Sequence, residues 1–181
     1  NRYTMALCTM TSGYNDRTCT NGKGGIKSVL FFPVANYSGA TLTANEITAI
    51  TVSGETFHYK LKSNLSSFTA PIQRNEENGT LWYDHNLSIV LNSDNKELRS
   101  AIHLLAQNEL CAMVEKADGT FVMLGYEEGL KVADGNEYGS GVAKSDRNGH
   151  TIVLVGQENN EVPDVDSTVA STLIAQSSYA V

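Results

Sequence analysis

Charge is scarce in this chain. Asp, Glu, Lys and Arg make up 18% of its 181 residues, against roughly a quarter in an average soluble domain. Basic residues are the scarcer kind: 13 Lys and Arg stand against 20 Asp and Glu, for a net charge of −7. A nucleic-acid binder needs a basic face to neutralise phosphates, so this balance excludes a generic one. No apolar run reaches the roughly 18 residues that a membrane helix requires. The first residues, NRYTMALCTM, lack the charged-then-apolar order of a signal peptide. They also lack an initiator Met, which leads to the expectation that something was cut away or left unnumbered.

Cysteine is nearly absent too. Cys8, Cys19 and Cys111 form no CxxC pair, which removes support for zinc fingers and thioredoxin-like chemistry. A Gly-containing loop separates Cys8 from Cys19, so a disulfide between them is one reading. Three reduced thiols, with Cys111 a small core residue in a strand, is the other.

Catalytic signatures are missing as well. Neither GxxxxGK[ST] nor GxGxxG stands between a strand and a helix. Gly22-Lys23-Gly24-Gly25 comes nearest, but it precedes a strand and so offers no helix N-terminus to a phosphate. His58, His85, His103 and His150 form neither HxH nor HExxH. No GxSxG elbow and no DxDxDG calcium loop occurs. Glu127-Glu128 and the group Glu158, Glu161, Asp164, Asp166 read as solvated loops rather than a carboxylate pair held in a cleft. Four Asn-x-Ser/Thr triplets, at Asn36, Asn64, Asn78 and Asn86, follow from composition in a chain without a visible secretory signal. The expectation is therefore no catalytic site, no cofactor, no metal, and a protein that is not an enzyme.

What fills the space is Ser, Thr, Asn and Gly around short alternating apolar runs. Ile26–Pro33 reads as a strand ended by its proline. Glu46–Val52 and Thr56–Lys62 both alternate, and Ser53-Gly54-Glu55 between them suggests a β-hairpin. On the second run Phe57, Tyr59 and Leu61 share one face, which leaves His58 and Lys60 exposed on the other. Asn75–Thr80 carries an Asn-Gly turn signal between the flanks Ser67–Arg74 and Leu81–Leu91. The second flank is long for a strand, with a bulge expected near His85-Asn86 and Trp82 in the core. Leu98, Ala101, Ile102 and Leu105 recur at helical spacing, which predicts a helix from Asn95 to Gln107, capped by Asp94 with Glu97 as the capping-box partner. Leu110–Glu115 and Thr120–Tyr126 form a hairpin through Lys116–Gly119. Asp146–Gly149 is a further turn before the strand His150–Gly156. After Pro163 the Val- and Thr-rich tail reads as an edge strand or arm.

The expected fold is mainly β: a sandwich or barrel of about eight to ten strands with one flanking helix. Residues 1–25 form an N-terminal arm, 26–162 the β domain with its helix near 95–107, and 163–181 a C-terminal arm or edge strand.

Three stretches resemble a known family. They are Ala117–Gly125 followed by Glu128-Gly129-Leu130, then Ser140–His150, then Thr151–Glu158. Together with Gly22–Ile26 and the central strand–helix–hairpin order, they are similar to tail tube or tail ring proteins of phages infecting Bacteroides-type bacteria, including crAss-like phages. The similarity covers about residues 22–160. It implies a tail-tube-like fold and a subunit of a tail tube, ring or head–tail connector. Copies would join sheet to sheet into stacked rings, with other tail or connector proteins as further partners. DNA would pass the lumen without specific binding, and an acidic wall suits that passage. The strands Glu46–Val52 and Thr56–Lys62 are the candidate lumen wall. No membrane is involved, and the location implied is the virion tail, after synthesis in the host bacterial cytoplasm. The alternative is a capsid decoration or fibre-type binding module.

Overall fold

The computed structural model describes residues 23–179. It is mainly β, with strands β1 (Ile26–Pro33), β2 (Tyr37–Thr43), β3 (Glu46–Val52), β4 (Thr56–Lys60), β5 (Ser67–Thr69), β6 (Ile72–Asn75) and β7 (Thr80–Leu91). Helix α1 (Lys96–Gln107) follows, then β8 (Leu110–Lys116), β9 (Phe121–Leu124), β10 (Lys131–Val132), β11 (Glu137–Gly139), β12 (Gly149–Glu158) and β13 (Asp164–Val165). Helix α2 (Ser167–Ala175) and β14 (Ser177–Tyr179) complete it. Five of these strands, β5, β10, β11, β13 and β14, are two- or three-residue pieces, too short to leave a period in the sequence.

One sheet runs β14-β4-β1-β8-β9-β13-β3-β2; the other runs β10-β12-β7-β5, with β11 on β12 and β6 on β7. Three residues, Ser53 to Glu55, link β3 to β4. Four Cα steps reach about 15 Å, whereas five strand spacings in a flat sheet span about 24 Å. The larger sheet is therefore rolled into a barrel.

A folded ribbon does the rolling. β2 and β3 pair from Thr43↔Glu46 to Tyr37↔Val52, and β1 and β4 pair from Phe31↔Phe57 to Ser28↔Lys60. Between the two halves Ser53 N–H donates to the Asn36 carbonyl at 2.8 Å. β1–β2 and β3–β4 are thus two long strands, each bent at its middle. The expected hairpin at Ser53-Gly54-Glu55 is instead this corner. The real turn is Ala44-Asn45, with φ of 51° and 65°, the left-handed pair that a two-residue hairpin requires. Ala in place of the usual Asn-Gly or Asp-Gly hid that turn, and β2 with it.

Alternation along the barrel strands separates two cores. Leu30, Phe32, Cys111, Met113, Met123, Ile47 and Val165 point inward, joined by Ala170 and Leu173 of α2. Phe31, Ala112, Val114, Val122 and Leu124 point outward, against Leu87, Ile89, Ile152 and Leu154 of the second sheet and Leu98 and Leu105 of α1. Both faces of β1, β8 and β9 are covered, so alternation there does not mean in-versus-out. His58 of β4 lies opposite inward-pointing Leu30 in the β1–β4 register, so it shares that inner face and is buried rather than exposed.

The tail after Pro163 forms the expected edge strand only at β14, which borders the larger sheet. β13 lies parallel to β3 and β14 parallel to β4, with α2 over the corner between them. The β-branched content suggests a strand, but Asp166 caps Thr168 N–H at 2.8 Å, and Ala170 and Leu173 find a buried seat. Packing overrides propensity here. Ser171 and Thr172 hydroxyls donate to the Ser167 and Thr168 carbonyls one turn back, which satisfies them within the helix.

α1 stands where expected, but Asn95 is its cap, accepting from Leu98 N–H at 2.6 Å. β7 continues without a bulge: it pairs with β12 in one register from Tyr83↔Glu158 to Leu91↔His150. Its length is used because β6 and β5 share its opposite edge in succession.

Candidate assembly surfaces

Both sheets have open borders. β2 ends the rolled sheet, and among the described residues no strand pairs with its outer side. Its seven residues, YSGATLT, carry no charge and five are exposed. Proteins usually protect such a border with Lys, Pro or a very short strand. β14, the opposite border, has three residues, and β6 and β10 carry Arg74 and Lys131. β2 is thus the long border without charged protection, although register shifts at Tyr37/Gly39 and Thr41/Leu42 kink it.

The surface also carries hollows. One, of about 360 Å³, runs between Thr48–Val52 of β3 and Val169, Thr172, Leu173 and Gln176. A second, apolar and about 260 Å³, lies between α1 and the barrel, with Leu104 exposed at its lip. A third, about 410 Å³, sits on the second sheet between Asp84, Asn86 and Gln157 on one side and Glu128 and Lys131 on the other, floored by Gly129 and Gly156. Gly156 is dictated by packing, since a Cβ there would stand 2.6 Å from the Gly129 carbonyl oxygen.

The lumen candidates divide. β3 is mostly exposed, but Thr56, His58 and Tyr59 of β4 are buried between β1 and β14. Of the run Thr56–Lys62 this leaves Lys60 and Lys62 as the exposed side chains.

The titratable groups hold structure together. Glu158, at the end of β12, is 1% exposed. Its carboxylate accepts from the backbone N–H groups of Glu127, Glu128 and Gly129 at 3.1, 3.1 and 3.2 Å. Burial pushes its pKa up against those three bonds. His85 of β7 accepts from Gly125 N–H at 3.3 Å through Nδ1, and burial holds its pKa down. These two side chains thus tie down the crossover 125–129, which carries the chain from barrel to second sheet. The sequence showed neither role, because both depend on contacts 29 to 40 residues apart.

Asp94 does not cap α1. It meets His150 Nε2 at 3.2 Å, Arg99 Nε at 3.0 Å and the Tyr138 hydroxyl at 3.0 Å. Partial burial opposes its ionisation, but the bonds from His150 and Tyr138 and the Arg99 charge hold it below its ordinary range. Tyr138 stacks on His150 with centroids 4.9 Å apart. His103 is exposed on α1, and Asp166 caps α2. Of the carboxylates expected to be solvated, Glu127, Glu128, Glu161 and Asp164 are exposed, whereas Glu158 is buried because three backbone N–H groups hold its carboxylate. Cys111 lies in the barrel core, its thiol pushed up to about 12 by burial. Cys8 and Cys19 lie outside the described residues. Trp82 belongs to neither core: it faces away from the barrel, half-buried, and its indole donates to Asp84 Oδ1 at 3.1 Å.

Among the described residues no group of three His, Cys, Asp or Glu side chains is placed to hold a metal, and no helix is long and apolar enough to cross a membrane. No family model, no curated protein and no solved structure matches the chain.

Proposed function

We propose that this chain is a structural subunit of a phage tail (tube, ring or head–tail connector) whose copies join sheet to sheet into stacked rings around a DNA-ejection channel. The observation that carries the reading is β2, a seven-residue border with no charge at one end of the rolled sheet, where the opposite border β14 has only three residues. Such a border is a hazard in a monomer and a joint in an assembly. The net charge of −7 suits a wall past which DNA slides, because phosphate contacts from Lys and Arg would hold it back. β3, next to β2, is the more exposed lumen candidate.

Electron microscopy of the purified protein, with mass photometry across concentration, tests this reading. Rings or stacked tubes are the expected result. A monomer at all concentrations overturns it. A compact trimer, or a monomer that binds glycan, transfers the reading to a decoration or fibre-type module.

A further inference from the structure

The second sheet carries two features at opposite ends of β12. At one end stands the loop 140–148, of which residues 141–148 are all exposed. It is a preformed knob. Asp146 accepts from Val142 and Ala143 N–H at 2.9 and 2.7 Å, and Asp146 N–H donates to the Ala143 carbonyl at 3.0 Å. Gly141, at φ of 70°, lets the chain turn into it, where a Cβ would run into the Asp146 side chain. Arg147 is tied back to the Thr151 hydroxyl at 2.7 Å. The knob therefore presents Val142, which is fully exposed, and the Lys144 ammonium.

At the other end is the 410 Å³ groove over Gly129 and Gly156. Its one cation, Lys131, is matched by Glu109 at 3.0 Å. Asp84 and exposed Glu128 are left as excess negative charge, beside exposed Val155. A cation with an adjacent small apolar group complements this groove, and the knob carries both.

The two features cannot meet within one chain. They lie on one strand, about seven residues and hence roughly 23 Å apart. We infer that the Val142–Lys144 knob of one copy docks in the Asp84–Glu128 groove of a second copy, shifted along the direction of β12. A contact between different patches of identical molecules repeats without limit unless rotation closes it. It supplies the stacking direction, whereas the border strand β2 supplies a lateral joint. The inference rests on the proposed self-assembly and names one of its contacts.

Charge reversal tests it. Sedimentation velocity at low ionic strength would compare the full chain with Lys144→Glu, Glu128→Lys and the double variant. Both positions are exposed, and unchanged melting temperatures would confirm intact folding. Each single reversal is expected to weaken association roughly tenfold, and the double reversal to restore it. Added salt should weaken the wild type as well. Wild-type assembly that ignores all three variants overturns this contact and leaves the assembly reading standing. A wild type that never associates overturns both.

Discussion

Removing the side chain that seats α2 in the barrel separates a plug from a loose tail. Leu173 is 3% exposed and lies among Phe32, Met113 and Met123 in the inner core. Its carbonyl also accepts from the buried Thr56 hydroxyl at 3.1 Å, so helix and corner are fixed together. Leu173→Ala deletes three buried carbons and leaves a hollow that rolled strands cannot collapse around. The range for such deletions is about 2–5 kcal/mol, and the rigid setting suggests about 3. For a chain of this size, each kcal/mol lowers the melting temperature by about 2–4 °C, so a fall of about 6–12 °C is expected. Thr172→Ala, one residue away and exposed, should cost under about 1 kcal/mol. Chemical and thermal denaturation would give both values. Amide exchange should also quicken in β3 and β4, which α2 contacts. A Leu173→Ala protein within about 1 kcal/mol of the wild type would refute the plug and return residues after Pro163 to the status of an arm.

Gly149→Ala should destabilise by about 1–3 kcal/mol in a melting experiment, because its Cβ would run into the Leu91 carbonyl and stand 3.1 Å from Asn92 Cα. His85 makes stability depend on pH with a definite sign. Its folded pKa is depressed below 6.5 by burial. The unfolded chain therefore binds the proton first, and stability present above about pH 6.5 is lost as pH falls towards the folded value. His85→Gln should flatten that part of a denaturation-versus-pH curve. Glu158, with a folded pKa raised above 4.5, contributes the opposite slope, losing stability as pH rises through its folded value, and Glu158→Gln should remove it. Cys111, held neutral with a pKa near 12 and fully buried, should resist alkylation at pH 8 in the native protein and react after unfolding. Peptide mass mapping would read the difference at this position alone.

Local chemistry was enough to read much of this protein. Turns at Asn78-Gly79 and Lys116–Gly119, the helical spacing from Leu98 to Leu105, and the runs Ile26–Pro33 and Leu110–Glu115 each carry their signal within a few residues. A mainly β fold with a flanking helix follows from those. Tertiary structure decided the rest, for identifiable reasons. Ser53–Glu55 looks the same in sequence whether it reverses a hairpin or bends a ribbon. The choice was made by β13, which comes more than a hundred residues later and takes the place beside β3. His58 and Trp82 exchanged expected places because rolling turns the His58 face of β4 inward while the second sheet leaves one face of β7 to solvent. Asn95 rather than Asp94 caps α1 because His150 and Tyr138, distant in sequence, claim Asp94. α2 exists because a barrel needed filling, and a filled core outweighs the strand preference of Val and Thr. The borders and the groove are likewise products of neighbouring strands, and no window of the chain contains them.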